Sequence, residues 1–182
     1  MRILASDRTR SVLFLLAALM SPALAVAQRQ AMPTISGESL AGGKVVLPEA
    51  AKGKVAVLIF GFTKASKETT KAWATRLNSE LGGQPDFVLW QLPVLEDVPR
   101  LIRGMVISGM KKTVPGNLRD HFVPLLESEA ELKKLVNYKD ANDAYLVVLD
   151  RSSQIVQQLH SASPETGFAQ LRTGIQTLLA QK

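Results

Sequence analysis

The first residues to test for chemistry sit in the turn Gly61-Phe62-Thr63-Lys64-Ala65 and at the start of the helix that follows, where Ser66 and Glu68 stand. A buried strand that ends in a turn opening a helix is where α/β proteins place reactive groups. A thiol here would give redox chemistry, but the chain contains no cysteine. Glu68 is a single carboxylate without a partner, which is weak support for acid–base catalysis. The turn does offer the N–H groups of a helix start, which suit an anion or a peptide carboxylate. Lys64, Ala65, Ser66 and Glu68 are therefore the first candidate contact residues. The plainer alternative is that Ser66 caps the helix and Lys64 is solvated.

A second candidate surface gathers Arg100, Arg103, Lys111, Lys112 and Arg119 around Met105 and Met110. Methionine adapts to varied apolar partners. The alternative is a core helix with a solvated charged edge. Gly104 and Gly109 weaken this helix, by about 1 kcal/mol each against alanine, and their spacing would allow close backbone packing or local opening. His121 and His160 are the two histidines. They lack metal-ligand spacing and read as surface or packing residues. Haem ligation by a histidine with Met105 or Met110 finds no attachment motif. Ser108, in Ile-Ser-Gly, does not fit a nucleophile elbow. No catalytic residue, metal or cofactor is expected.

The elements that would position these residues follow from apolar patterning. Val55-Ala56-Val57-Leu58-Ile59-Phe60 is short, branched and bounded by glycine, the pattern of a buried strand. A helix over about 66–81 carries Trp73, Leu77 and Leu81 on one stripe. A second strand spans 87–94. Asp97 then caps a helix with Val98 and Pro99 in its first turn. Residues 118–126 read as a helical turn ending in a short strand around Phe122 and Val123. Ser128 and Glu131 form a capping box for a short helix ending near Val136. Strands at 144–149 and 154–159 make a hairpin. Ser163-Pro164-Glu165 opens a final helix with Phe168, Leu171, Ile175, Leu178 and Leu179 on its apolar face. Ahead of all this, residues 28–35 read as a mobile start, 36–43 as a polar segment and 44–48 as an edge strand. Trp73 and Trp90 are read as core.

The 182 residues suggest one domain, at roughly 100–200 residues per domain. With 46% apolar and 21% charged residues, composition is ordinary for a globular chain. Arg2, Arg8 and Arg10 precede an apolar stretch at 11–20, Pro22 breaks it, and Ala25-Val26-Ala27 supplies a cleavage pattern. This is the layout of a secretory signal over residues 1–27, with 28–182 as the mature domain. An uncleaved anchor is the alternative, but the run is shorter than the roughly 20 residues a spanning helix needs. The expected location is extracytoplasmic, in the periplasm. Cleavage would lower the formal charge from +6 to +4, because Asp7 leaves with the three arginines. That modest excess suits an acidic protein partner or peripheral contact with anionic lipid, but a basic surface that only keeps the protein soluble is the favoured reading. No basic blocks interleave with aromatics, which argues against nucleic acid. An exported chain without cysteine has no disulfide, so its stability rests on its core.

The order strand–helix–strand, helical insertion, hairpin and final helix resembles the thioredoxin-like α/β fold, βαβ then ββα around a mixed sheet. Gly53-Lys54-Val55 with the strand after it, and residues 144–150 followed by Ile155-Val156, resemble the redoxin branch. In redoxins the turn after the first core strand carries reactive cysteines. Here Ala65 and Glu68 occupy the matching places, and Asp143 or Ala144 replaces the family's cis-proline. Thiol-disulfide and thiol-peroxidase chemistry are excluded on those grounds. A narrower resemblance rests on Arg103-Gly104-Met105-Val106-Ile107-Ser108-Gly109-Met110, the polar segment to Arg119, and residues 143–150. These are similar to a cysteine-lacking thioredoxin-like family that includes the mitochondrial factor assisting assembly of subunit a into ATP synthase. That resemblance implies a non-catalytic protein that holds or escorts a membrane-complex component. A small-ligand or anion carrier, or a non-thiol enzyme using the former redox turn, is the alternative.

Overall fold

The computed structural model describes residues 30–181. The leader and the cleavage pattern at Ala27 lie outside the described residues. The strands are β1 (Gln30–Ala31), β2 (Ile35–Glu38), β3 (Lys44–Leu47), β4 (Val55–Gly61), β5 (Phe87–Pro93), β6 (Ala144–Leu149) and β7 (Gln154–Ser161). The helices are α1 (Lys67–Leu81), α2 (Arg100–Thr113), α3 (Glu129–Leu135) and α4 (Phe168–Ala180). The main sheet has the order β1-β7-β6-β4-β5, and β2-β3 form a separate antiparallel pair.

All seven residues of β4 are buried, as its unbroken apolar run implies for a strand covered on both faces. It pairs parallel with β5, from Val55↔Phe87 to Gly61↔Pro93, and antiparallel with β6. The pleat sends alternate residues to opposite faces. Val55, Val57 and Ile59 meet Trp73 and Leu77 of α1 and Leu171 and Ile175 of α4. Ala56, Leu58 and Phe60 meet Trp90, Leu92, Tyr145 and Leu132 of α3 on the other face. Arg151, in the β6–β7 turn, donates to the carbonyls of Leu178 and Gln181 at the end of α4 and to Asp86. One side chain thus satisfies helix-end acceptors and ties the hairpin to α4. The parallel strands β4 and β5 end on the same side of the sheet, and both α1 and α2 start there.

Several boundaries differ from the sequence reading, each for a local reason. The segment expected to be a mobile start supplies β1, which pairs with β7, and buries Met32 and Ile35. The polar segment contains β2, and the expected edge strand at 44–48 pairs with it rather than with the main sheet. Asp97 does not cap α2, because Pro99 takes the extended conformation (ψ 133°) and the helix opens at Arg100. Ser128 has a left-handed backbone (φ 69°) and makes no capping bond. Instead, Glu96 accepts from Glu129 N–H at 2.6 Å from another part of the chain. The final helix opens at Phe168, not at Ser163, after Gly167 turns the chain at φ 94°. Residues 116–121 form a 3-10 turn, Phe122 bridges to Gln91 of β5 and Leu125 to Val94 just past its end, as the split reading of 118–126 expects.

Candidate functional site

The turn between β4 and α1 is braced by its own side chains. The Thr63 hydroxyl donates to Ala141 O at 2.6 Å and accepts from the N–H groups of Ala65 and Ser66, at 3.1 and 3.3 Å. Ser66 is 1% exposed, and its hydroxyl donates back to Thr63 O at 3.0 Å. The expectation that Ser66 caps α1 is therefore corrected. Thr63, three residues earlier, satisfies two of the orphan donors at the helix entrance. The same two bonds occupy N–H groups that an anion would need. Gly61 ends the strand because α1 lies close: a Cβ there would sit 3.0 Å from both Ser66 Oγ and Thr70 Cγ2. Of the other turn candidates, Lys64 and Ala65 are exposed. Glu68 is exposed and pairs with Lys67 at 3.7 Å.

Residues 139–143 close over this turn from the other side. The Tyr145 hydroxyl accepts from the N–H groups of Lys139 and Asp140, both at 2.8 Å, and donates to Asp140 O at 2.9 Å. Asp140 in turn accepts from the backbone and side-chain amides of Asn142, which hold its carboxyl below the usual carboxylate range. The Asp143 carboxylate is 2.8 Å from His160 Nδ1. His160 stacks on Tyr145 with ring centres 5.6 Å apart, and Phe62 meets Tyr138 and Tyr145 edge-on at 5.2 and 5.5 Å. The result is a clasp of aromatic rings and short hydrogen bonds. Among the described residues there is no cluster of three potential metal ligands.

Next to the clasp lies a buried carboxylate. Glu129 is 5% exposed, and Lys133 Nζ approaches its Oε1 at 2.5 Å while Oε2 has no partner. The hydrogen bond to Glu129 holds the Lys133 ammonium above the usual lysine range, against the opposing effect of burial. Lys133 also lies over the Tyr138 ring at 4.9 Å. On the outer edge of β5 a shallow groove of about 170 Å³ is lined by Asn78, Val88, Gln91, Leu118 and His121. His121 packs edge-on against Trp90 at 4.6 Å. Burial holds its pKa below the usual histidine range, Lys54 adds to that effect and Asp120 opposes it.

The second candidate surface is of the opposite character. No residue of α2 is buried. Leu101 is 98% exposed, Met105 74% and Ile102 43%. The core-helix alternative is thereby corrected, since α2 belongs to neither apolar cluster. Arg103, Val106, Ile107 and Met110 are half-buried and form its inner side. Arg103 is not a free cation: its Nε donates to Val98 O at 2.7 Å and its Nη2 to Glu96 O at 2.5 Å. Arg119 repeats the first bond, donating from Nε to Val114 O at 3.0 Å. The free cations of the patch are Arg100, Lys111 and Lys112, all exposed. A Cβ on Gly104 or Gly109 would meet nothing within 4 Å, so neither glycine serves backbone packing within the chain.

Sequence reasoning missed Thr63, the Asp143–His160 pair and the two arginine clips. The clips had a signal, because Val98-Pro99 with Arg103 and Val114-Pro115 with Arg119 share the pattern Val-Pro-x-x-x-Arg. The residue before proline is held extended. Its carbonyl is left at the entrance of the next helical turn, within reach of an arginine one turn on.

No family model matches the chain, and no curated protein matches its sequence. Solved structures do match its fold. A member of the Sco family of cytochrome c oxidase assembly proteins superposes with a TM-score of 0.56 at 12% identity, covering 85% of this chain and 96% of its own. A protein assigned as the thiol:disulfide interchange protein DsbE of Chlorobium tepidum gives 0.60 at 14% identity, over 84% and 97%. The pneumococcal exposed lipoprotein thioredoxin Etrx1 of Streptococcus pneumoniae strain TIGR4 gives 0.52 at 12% identity, over 78% and 99%. The chain has the thioredoxin-like fold that these redoxins share, with a central mixed sheet and flanking helices. It differs from thiol-based members in having no cysteine anywhere in its sequence.

Proposed function

We propose that the chain is an exported, non-catalytic thioredoxin-like protein that acts as a binding or assembly factor for an extracytoplasmic or membrane complex, and that it engages its partner through α2. The observation that carries this reading is the exposure of Leu101, Ile102 and Met105 on a helix that contributes nothing to the core. A helix that buries none of its residues yet holds three large apolar side chains in water needs another reason to keep them there. Three further features support the reading. The chain has no thiol for redox work. One structural neighbour is described as an assembly protein. Residues 103–110, on which the resemblance to the cysteine-lacking assembly family rests, lie within α2.

The carrier alternative loses support from Thr63, which occupies the Ala65 and Ser66 donors. The test is photo-crosslinking in the native cell from a probe at Met105, with Leu101→Ser as the competing variant. A dominant adduct that weakens with Leu101→Ser is the expected result. Clean absence of any adduct, with the protein folded and present, would overturn the reading.

A further inference from the structure

We propose that α2 is a membrane-surface element whose outer face rests on an anionic lipid bilayer, with Leu101, Ile102 and Met105 entering the headgroup boundary and Arg100, Lys111 and Lys112 facing lipid phosphates. This rests on the preceding reading in taking α2 as the contact surface, and it assigns the bilayer around a membrane complex as what the outer face of α2 meets.

The charge pattern points first to an anionic partner. Residues 100–113 contain four cations and no aspartate or glutamate. Arg103 is spent on the carbonyls of Val98 and Glu96, which leaves Arg100, Lys111 and Lys112 exposed. Glu96 and Asp97 precede the helix and Asp120 follows it, so the acids nearest in sequence lie off its 14 residues. The apolar pattern then separates lipid from a protein groove. A helix that docks in a groove presents anchors at i, i+3 or i+4, and i+7. From Leu101 that stripe runs through Met105 to Ser108 and Lys112, so the third anchor is missing. An interfacial helix asks less: a few apolar side chains on one face and cations beside them. Leu126, the other large apolar residue that is exposed among those described, follows Leu125, whose carbonyl accepts from Leu95 N–H. That bond places it beside the segment that leads into α2, which also carries the exposed Glu96 and Asp97. Among the described residues no helix is long and apolar enough to cross a membrane, so the contact proposed is one of surface adsorption.

The experiment is co-sedimentation of the protein, in the form its cell accumulates, with vesicles of phosphatidylglycerol and phosphatidylcholine or of phosphatidylcholine alone. Two variants accompany it, Leu101→Ser with Met105→Ser, and Lys111→Glu with Lys112→Glu. All four positions are exposed, so both variants are expected to melt with the parent. Any contribution from the N-terminal leader is common to all samples and drops out of the comparison. Binding to anionic vesicles that falls about tenfold or more in each variant, and falls with added salt, is the expected result. Equal binding by parent and variants, or no binding to anionic vesicles at low salt, overturns the proposal. In that event an adduct to a protein from Met105 would leave the assembly reading standing, whereas silence in both experiments would remove both.

Discussion

The turn before α1 and the helix α2 start at the same end of the sheet, yet they are built in opposite ways. The turn corresponds to the place where redoxins carry thiols, and here it is closed. Thr63 ties it to Ala141, Ser66 is buried beneath it, and Tyr145 and His160 brace the loop that lies over it. Arginine clips tie α2 to the segments at its two ends, its inner side is half-buried, and its outer face is left to solvent. Polar groups that could have served a ligand are satisfied internally at the first place. Apolar groups that could have joined the core are withheld from it at the second. In this cysteine-free chain with a thioredoxin-like fold, the turn after β4 is closed while the exposed apolar surface lies on α2.

The comparison makes substitution at the clasp costly and substitution on α2 nearly free. Tyr145→Phe has the largest expected effect, since it strands the N–H groups of Lys139 and Asp140 and a carbonyl. A loss of about 2–3 kcal/mol is expected from denaturant unfolding, and a loss under 0.5 kcal/mol would show that the clasp is ornamental. Thr63→Val is expected to cost about 1–2 kcal/mol by the same measurement, because it removes a cap and a long-range bond together. On α2 the sign reverses. Gly104→Ala and Gly109→Ala meet no atom within 4 Å, and each is expected to stabilise the protein by about 0.5–1 kcal/mol. A destabilising alanine at either position would mean that α2 packs more closely than described.

The smallest effect concerns pH. The lowered pKa of His121 means that folding favours its neutral form. Its contribution is therefore complete above the ordinary histidine range and is lost as pH falls through the depressed value. Thermal melts between about pH 7.5 and 5 are expected to show a shallower acid-side decline for His121→Gln than for the parent. Parallel declines would remove His121 from the account of acid stability.

Much of this scaffold was legible in the sequence, because unbroken apolar runs and a single helical stripe leave few alternatives. Val55 to Phe60, the Trp73–Leu77–Leu81 stripe and the β6–β7 hairpin appear where patterning puts them. Caps were less legible, because a capping residue is chosen by proximity in space. Ser128 and Ser66 have the right type in the right place, yet Glu96 and Thr63 do the work. The role of α2 was hardest to read. Periodicity reveals that a helix has an apolar face, and says nothing of what covers that face. From the sequence, Met105 fits a contact surface or a core helix, and only the third dimension shows it and Leu101 in water.

The central claim is that contact with a partner falls on α2 and not on the turn between β4 and α1. Hydrogen exchange, read by mass spectrometry with and without native membrane envelope, tests it most directly. The account predicts new protection over residues 100–113 when envelope is added and unchanged exchange over residues 63–68. Protection that arises at 63–68 while α2 stays unchanged would contradict it.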